Sequence, residues 1–107
     1  MQPRIELLWW DGCPSTERTL ADLRAALAEL GLDPDAVQMH EIATDEQAEA
    51  ERFPGSPTIR IDGADAFPTE AATGLACRIY RLADGRPSPT PDPARLRAAL
   101  AQALEAA

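Results

Sequence analysis

Arg4-Ile5-Glu6-Leu7-Leu8-Trp9-Trp10-Asp11-Gly12-Cys13-Pro14-Ser15-Thr16-Glu17 decides how this chain is read. From Arg4 to Trp10 the run is apolar with a single acidic interruption, the pattern of a strand buried on both faces. Asp11-Gly12 stops it with a turn. After Cys13-Pro14, Leu20, Leu23, Leu27 and Leu30 recur on one stripe, which predicts a helix with an apolar face. Pro14 suits the first turn of that helix, and Gly31 suits its C-terminal cap. A cysteine thus stands where a buried strand hands over to a helix.

Working outward, Val37 to Ile42 alternates and carries β-branched residues, predicting a second strand. Thr44-Asp45-Glu46-Gln47 has capping-box spacing and opens a short polar helix that ends near Arg52. Phe53-Pro54-Gly55 breaks it. Thr58 to Ile61 is a third strand, halted by Asp62-Gly63, and Ala64 to Gly74 lacks periodicity and is read as loop. In Leu75 to Leu82, Cys77, Ile79 and Arg81 alternate against Ala76, Arg78 and Tyr80, which predicts a fourth strand. Asp92-Pro93 provides an N-cap followed by an N1 proline, and Leu96, Leu100 and Leu104 form the stripe of a last helix. The expected order is β-α-β-α-β-β-α over residues 1–107 as one α/β domain, with a mixed four-stranded sheet flanked by helices. The first two strands should be parallel and the later ones antiparallel.

With 107 residues, 45% hydrophobic and 26% charged, the chain can bury a core without staples and is not of disordered composition. Its net charge of −8 repels phosphate backbones and anionic membranes, so neither nucleic acid nor membrane is expected as a partner. The N-terminal apolar run is too short for a signal peptide or a bilayer span, so a cytoplasmic location is expected. There, two cysteines far apart in sequence should be free thiols. Cys13, Cys77 and the lone His40 do not form a metal-ligand spacing, and neither metal nor other cofactor is expected. His40 reads as an edge or surface residue, and Asp45 to Glu51 as a solvated helix face.

Unpaired amides at a helix N-terminus favour a thiolate over a thiol, and the thiolate is the nucleophile. The position of Cys13 therefore suits a reactive cysteine, although Asp11 and Glu17 oppose a further negative charge nearby. Position alone equally allows Cys13 to be a small apolar residue packed at a helix start. Trp9 and Trp10 should point to opposite faces, one into the core and one beside Cys13.

Trp9-Trp10-Asp11-Gly12-Cys13-Pro14-Ser15-Thr16 together with Gly55-Ser56-Pro57-Thr58 resembles the thioredoxin-like superfamily. There, an aromatic-ended strand leads to a Cys-Pro-x-Cys motif, and a later cis-proline faces that cysteine. Gly55-Ser56-Pro57-Thr58, Asp62-Gly63 and Cys77-Arg78-Ile79-Tyr80 are similar to the layout of a small bacterial single-domain family of that superfamily with a single-thiol motif. The resemblance implies a thioredoxin-like fold, a cis bond before Pro57, and Cys13 as the nucleophile of a thiol–disulfide oxidoreductase. Trp10, Pro14, Thr16, Ser56 and Pro57 would form the substrate-binding surface, with Ser56 and Pro57 as the edge on which an extended substrate pairs its backbone. The partner would be a low-molecular-weight thiol or a protein thiol or disulfide.

Thr16 stands where the second cysteine of a dithiol site would be, so Cys13 would act through a mixed disulfide that another thiol must resolve. Thr16 could also donate a hydrogen bond to the Cys13 thiolate. Cys77 is the possible second thiol. In the implied sheet it lies near the start of the fourth strand, several residues of roughly 3.4 Å each from the active-site end. Bridging to Cys13 requires Cα atoms within about 7 Å and is not expected. A structural role for Cys77 is the alternative. The rival function is a non-catalytic binding or interaction module that keeps Cys13 for packing or regulation, and a soft-metal site at Cys13 has little support without a second ligand.

Overall fold

The computed structural model describes residues 2–106. The first strand, β1 (Ile5–Trp9), is followed by α1 (Thr16–Glu29), β2 (Val37–Glu41) and α2 (Asp45–Ala50). Then come β3 (Thr58–Ile61), β4 (Ala64–Asp65), a small hairpin of β5 (Tyr80–Arg81) and β6 (Pro87–Ser88), and α3 (Pro93–Ala106). The main sheet has the order β2-β1-β3-β4. As expected, β1 runs parallel to β2, whereas β3 is antiparallel to both β1 and β4.

Because β1 lies inside the sheet, its side chains are buried alternately on two faces. Ile5 and Leu7, with Ile59 and Ile61 of β3, meet Leu23 and Leu27 of α1 and Leu96 and Leu100 of α3. Leu8, on the other face, packs with Ile42, Ala48 of α2 and Phe53. The apolar run of β1, interrupted only by Glu6, is the consequence of this double coverage. β2 is an exposed edge, and there His40 Nε2 lies 3.1 Å from Glu6 Oε2 at the surface.

The helix ends follow local chemistry. Gly31 (φ 74°) closes α1, with the Leu32 amide bonded to Leu27 O at 2.8 Å and the Gly31 amide to Ala28 O at 3.1 Å. This is the paired arrangement that satisfies orphan carbonyls at a helix C-terminus. Thr44 Oγ1 accepts from the Gln47 amide at 3.1 Å, and Gln47 Oε1 accepts in return from the Ala43 amide at 2.7 Å. Asp92 accepts amides from Ala83, Ala94 and Arg95, bonds that hold its carboxyl below the ordinary 3.8.

Two expectations need correction. The fourth strand of the sheet is Ala64–Asp65, inside the stretch read as loop, and not Leu75–Leu82. Asp62 (φ 52°) and Gly63 (φ 86°) turn the chain in the left-handed region, so two residues suffice to bring Ala64 back onto Ile61. The segment read as a fourth strand joins the structure differently. Cys77 makes an isolated parallel bridge with Ser56, and only Tyr80 and Arg81 are strand, paired to Ser88 and Pro87. Among the described residues no helix is long and apolar enough to cross a membrane.

Candidate functional site

Cys13 lies in the bend between β1 and α1, two residues before Ser15, the N-cap of α1, so Pro14 precedes the helix and does not occupy its first turn as expected. Its amide bonds to Trp10 O at 3.0 Å, closing a turn over Asp11 and Gly12. Gly12 is required there because the Trp10 indole lies across it, and a Cβ on residue 12 would stand 2.4 Å from Trp10 Cζ2. Cys13 is 7% exposed and lines one wall of an open cleft of about 540 Å³, with Trp9, Asp11, Pro14, Thr16 and Met39 among the other lining residues. Trp9 therefore flanks the cleft, while Trp10 packs on the Leu8–Phe53 cluster behind it.

Behind Cys13 is Ser56, fully buried, and its bond to Pro57 is cis as expected. The Ser56 Oγ accepts from the Trp10 amide at 3.0 Å, and the Ser56 carbonyl accepts from Cys13 Sγ at 3.4 Å. The same carbonyl accepts the Arg78 amide at 2.8 Å, and the Ser56 amide donates to Ala76 O at 2.8 Å. Both backbone groups of Ser56 are thus taken by residues 76–78 of its own chain. The free pairing edge expected at Ser56 is already occupied, by the segment that carries Cys77. Gly55 permits this approach. Its φ of 123° suits glycine alone, and a Cβ there would meet Arg78 Cβ at 3.1 Å and Ala76 O at 3.2 Å.

Consequently Cys13 and Cys77 are both held at Ser56, whose carbonyl accepts from Cys13 Sγ and whose backbone bridges to Cys77, whereas the spacing argument puts Cys77 in a sheet strand that it does not join. Cys13 is buried and Cys77 exposed, and both are free thiols. The Cys77 thiol is pushed above its ordinary 9.0 by desolvation, then by hydrogen bonding with the Cys13 side chain, then by the charge of Cys13. Thr16 does not serve Cys13: its hydroxyl is buried and without a hydrogen-bond partner.

Sequence reasoning missed the group that holds residues 76–78 in place. Arg78, 5% exposed, reaches Asp65 Oδ2 at 2.8 Å and Thr58 Oγ1 at 3.2 Å, and also donates to Phe67 O. Its guanidinium sits 4.5 Å from the centroid of the Tyr80 ring. The Tyr80 hydroxyl donates to Pro57 O, and burial, more than any neighbouring charge, pushes the phenol well above its ordinary 10.0. Phe67 packs edge-on against the same ring at 5.5 Å. An arginine in the buried phase of an alternating segment is the signal that pointed here, since a buried guanidinium requires a fixed set of acceptors.

Among the described residues no three His, Cys, Asp or Glu side chains gather as metal ligands, and we assign none. Comparison with family models, with curated proteins and with solved structures finds no match to this chain.

Proposed function

We propose that the chain carries out thiol–disulfide exchange through Cys13, on a thioredoxin-like frame. The observation that carries this reading is the meeting of Cys13 Sγ with the Ser56 carbonyl, next to the cis Ser56–Pro57 bond and at the wall of an open cleft. The sheet order supports it too, since β1 delivers Cys13 and the start of β3 delivers Ser56-Pro57 to one end of the sheet.

In this reading a disulfide enters the cleft and the Cys13 thiolate attacks one of its sulfurs. One thiolate leaves and a mixed disulfide remains on Cys13, which a second thiol cleaves to restore the free cysteine. Asp11 and Glu17 line the cleft with Cys13, so a neutral or cationic disulfide is favoured over an anionic one. The burial of Cys13 favours the second reading, an interaction module in which that thiol only packs.

Reduced protein mixed with hydroxyethyl disulfide, which is neutral, should release free thiol from it, and Cys13→Ser should release none. Equal release from Cys13→Ser would remove Cys13 from the chemistry and leave the interaction module standing.

A further inference from the structure

The resemblance implies a single thiol resolved from outside, and the spacing argument puts the possible second thiol, Cys77, out of reach of Cys13. The fold holds both cysteines at Ser56. Ser56 is the common anchor of two chain segments that are far apart in sequence. On one side, the Trp10 amide holds Ser56 Oγ at 3.0 Å and Cys13 Sγ holds Ser56 O at 3.4 Å. On the other, Ala76 O and the Arg78 amide grip the Ser56 backbone at 2.8 Å each, with Cys77 between them in bridge register.

The second segment is not left to drift. The Gly74 amide bonds to Phe53 O at 3.1 Å at its start, and the Arg78 side chain is locked onto Asp65, Thr58 and Phe67 at its end. An extended substrate would need the groups of Ser56 that this segment occupies. The segment that carries Cys77 fills them instead.

We propose that Cys77 is the resolving thiol of Cys13, and that a Cys13–Cys77 disulfide is the oxidised form of the site. This rests on the reading of Cys13 as the attacking thiol. The Cys13 thiolate attacks a small disulfide R–S–S–R, forming Cys13–S–S–R and releasing one R–S⁻. Cys77 then loses its proton to solvent and its thiolate attacks Cys13 Sγ. The disulfide bond between Cys13 Sγ and the sulfur on R breaks, and the second R–S⁻ leaves. Two electrons have passed from the two cysteines to the small disulfide, whose two thiolates take up protons.

The electrostatics fit this order of events. Desolvation is the largest influence that holds the proton on Cys77, and the Cys13 thiol adds to it. The share that comes from a charged Cys13 is removed once Cys13 is bound in a mixed disulfide, at the step that needs the Cys77 thiolate.

The test compares reduced wild type, Cys77→Ser, Cys77→Ala and Cys13→Ser after exposure to hydroxyethyl disulfide, read by intact mass and peptide mapping. Because Cys77 is exposed, both replacements of it should leave the fold intact, as thermal unfolding will check. Wild type should become lighter by two hydrogens, with Cys13 linked to Cys77 in one chain and no retained adduct. Both Cys77 variants should instead retain one adduct on Cys13, and Cys13→Ser should not form the internal disulfide. A stable Cys13 adduct on wild type, as abundant as on Cys77→Ser, overturns the resolving role while leaving Cys13 as the nucleophile. An adduct on Cys77 in Cys13→Ser, with none on Cys77→Ser, reverses the roles and overturns both readings. Absence of any adduct or disulfide in every variant defeats the Cys13 reading itself.

Discussion

Replacing Arg78 by alanine is expected to cost the chain about 3 kcal/mol or more of folding stability, near the lower end of the ~3–5 kcal/mol for breaking a buried pair. The guanidinium side chain is 4% exposed, but the Asp65 carboxylate it pairs with is 21% exposed, so water recovers part of what Asp65 loses. The substitution also strips partners from Thr58 Oγ1 and Phe67 O and uncovers the Tyr80 ring. Arg78→Lys should recover only a small part of the loss, because a compact ammonium cannot replace a planar fork that serves three acceptors at once. Urea unfolding will show the effect as a lower midpoint at an unchanged slope. A change within about 0.5 kcal/mol, as for an ordinary surface substitution, would show that Arg78 is not the lock described above.

Phe53→Ala should be as damaging, at about 3–5 kcal/mol, the range for emptying a large aromatic site in a core. Phe53 is fully buried and is the largest member of the cluster that fills the second face of the sheet, with Leu8, Ile42 and Ala48. Its amide closes α2 on Ala48 O at 2.8 Å, and its carbonyl receives the Gly74 amide. The cavity therefore opens beneath Trp10 and at the root of the Cys77 segment together. Phe53→Leu should lose clearly less, since it retains most of the buried volume. Denaturant melts of the two variants check the ranking, and a near-neutral Phe53→Ala would mean that this face of the sheet is not a packed core.

Much of this fold can be read from the sequence where a local rule acts alone. The apolar run of β1, the stripe of α1, the capping box at Thr44 and the Asp92-Pro93 start of α3 all fall where their residue chemistry places them. β4 was missed because two residues cannot show a period. Yet Asp62-Gly63 is a two-residue hairpin turn, and that signal calls for a returning strand directly after it. The alternation from Leu75 to Leu82 is real, in that Arg78 and Tyr80 are buried while Cys77 and Ile79 are exposed. Its cause is different from the one inferred. The buried phase follows the needs of a guanidinium and a phenol, which are met by Asp65, Thr58, Phe67 and Pro57, and not by the middle of a sheet.

The site divides in the same way. Cys13 and Ser56-Pro57 stand out in the sequence because turn and proline chemistry mark them locally, and the structure brings them together. The position of Cys77 was hidden, because it depends on contacts made over long separations. Gly55 has to be a glycine for residues 76–78 to come close, and Arg78 has to find its acceptors for them to stay. Neither requirement leaves a period or a spacing in the sequence.

Continuous turnover tests the central claim, exchange chemistry at Cys13, most directly. With a low-molecular-weight thiol in excess as reductant, wild type should reduce many equivalents of hydroxyethyl disulfide per chain above the uncatalysed rate. Cys13→Ser should fall to that background. Consumption that stops at the first equivalent, or that continues undiminished in Cys13→Ser, would contradict the account.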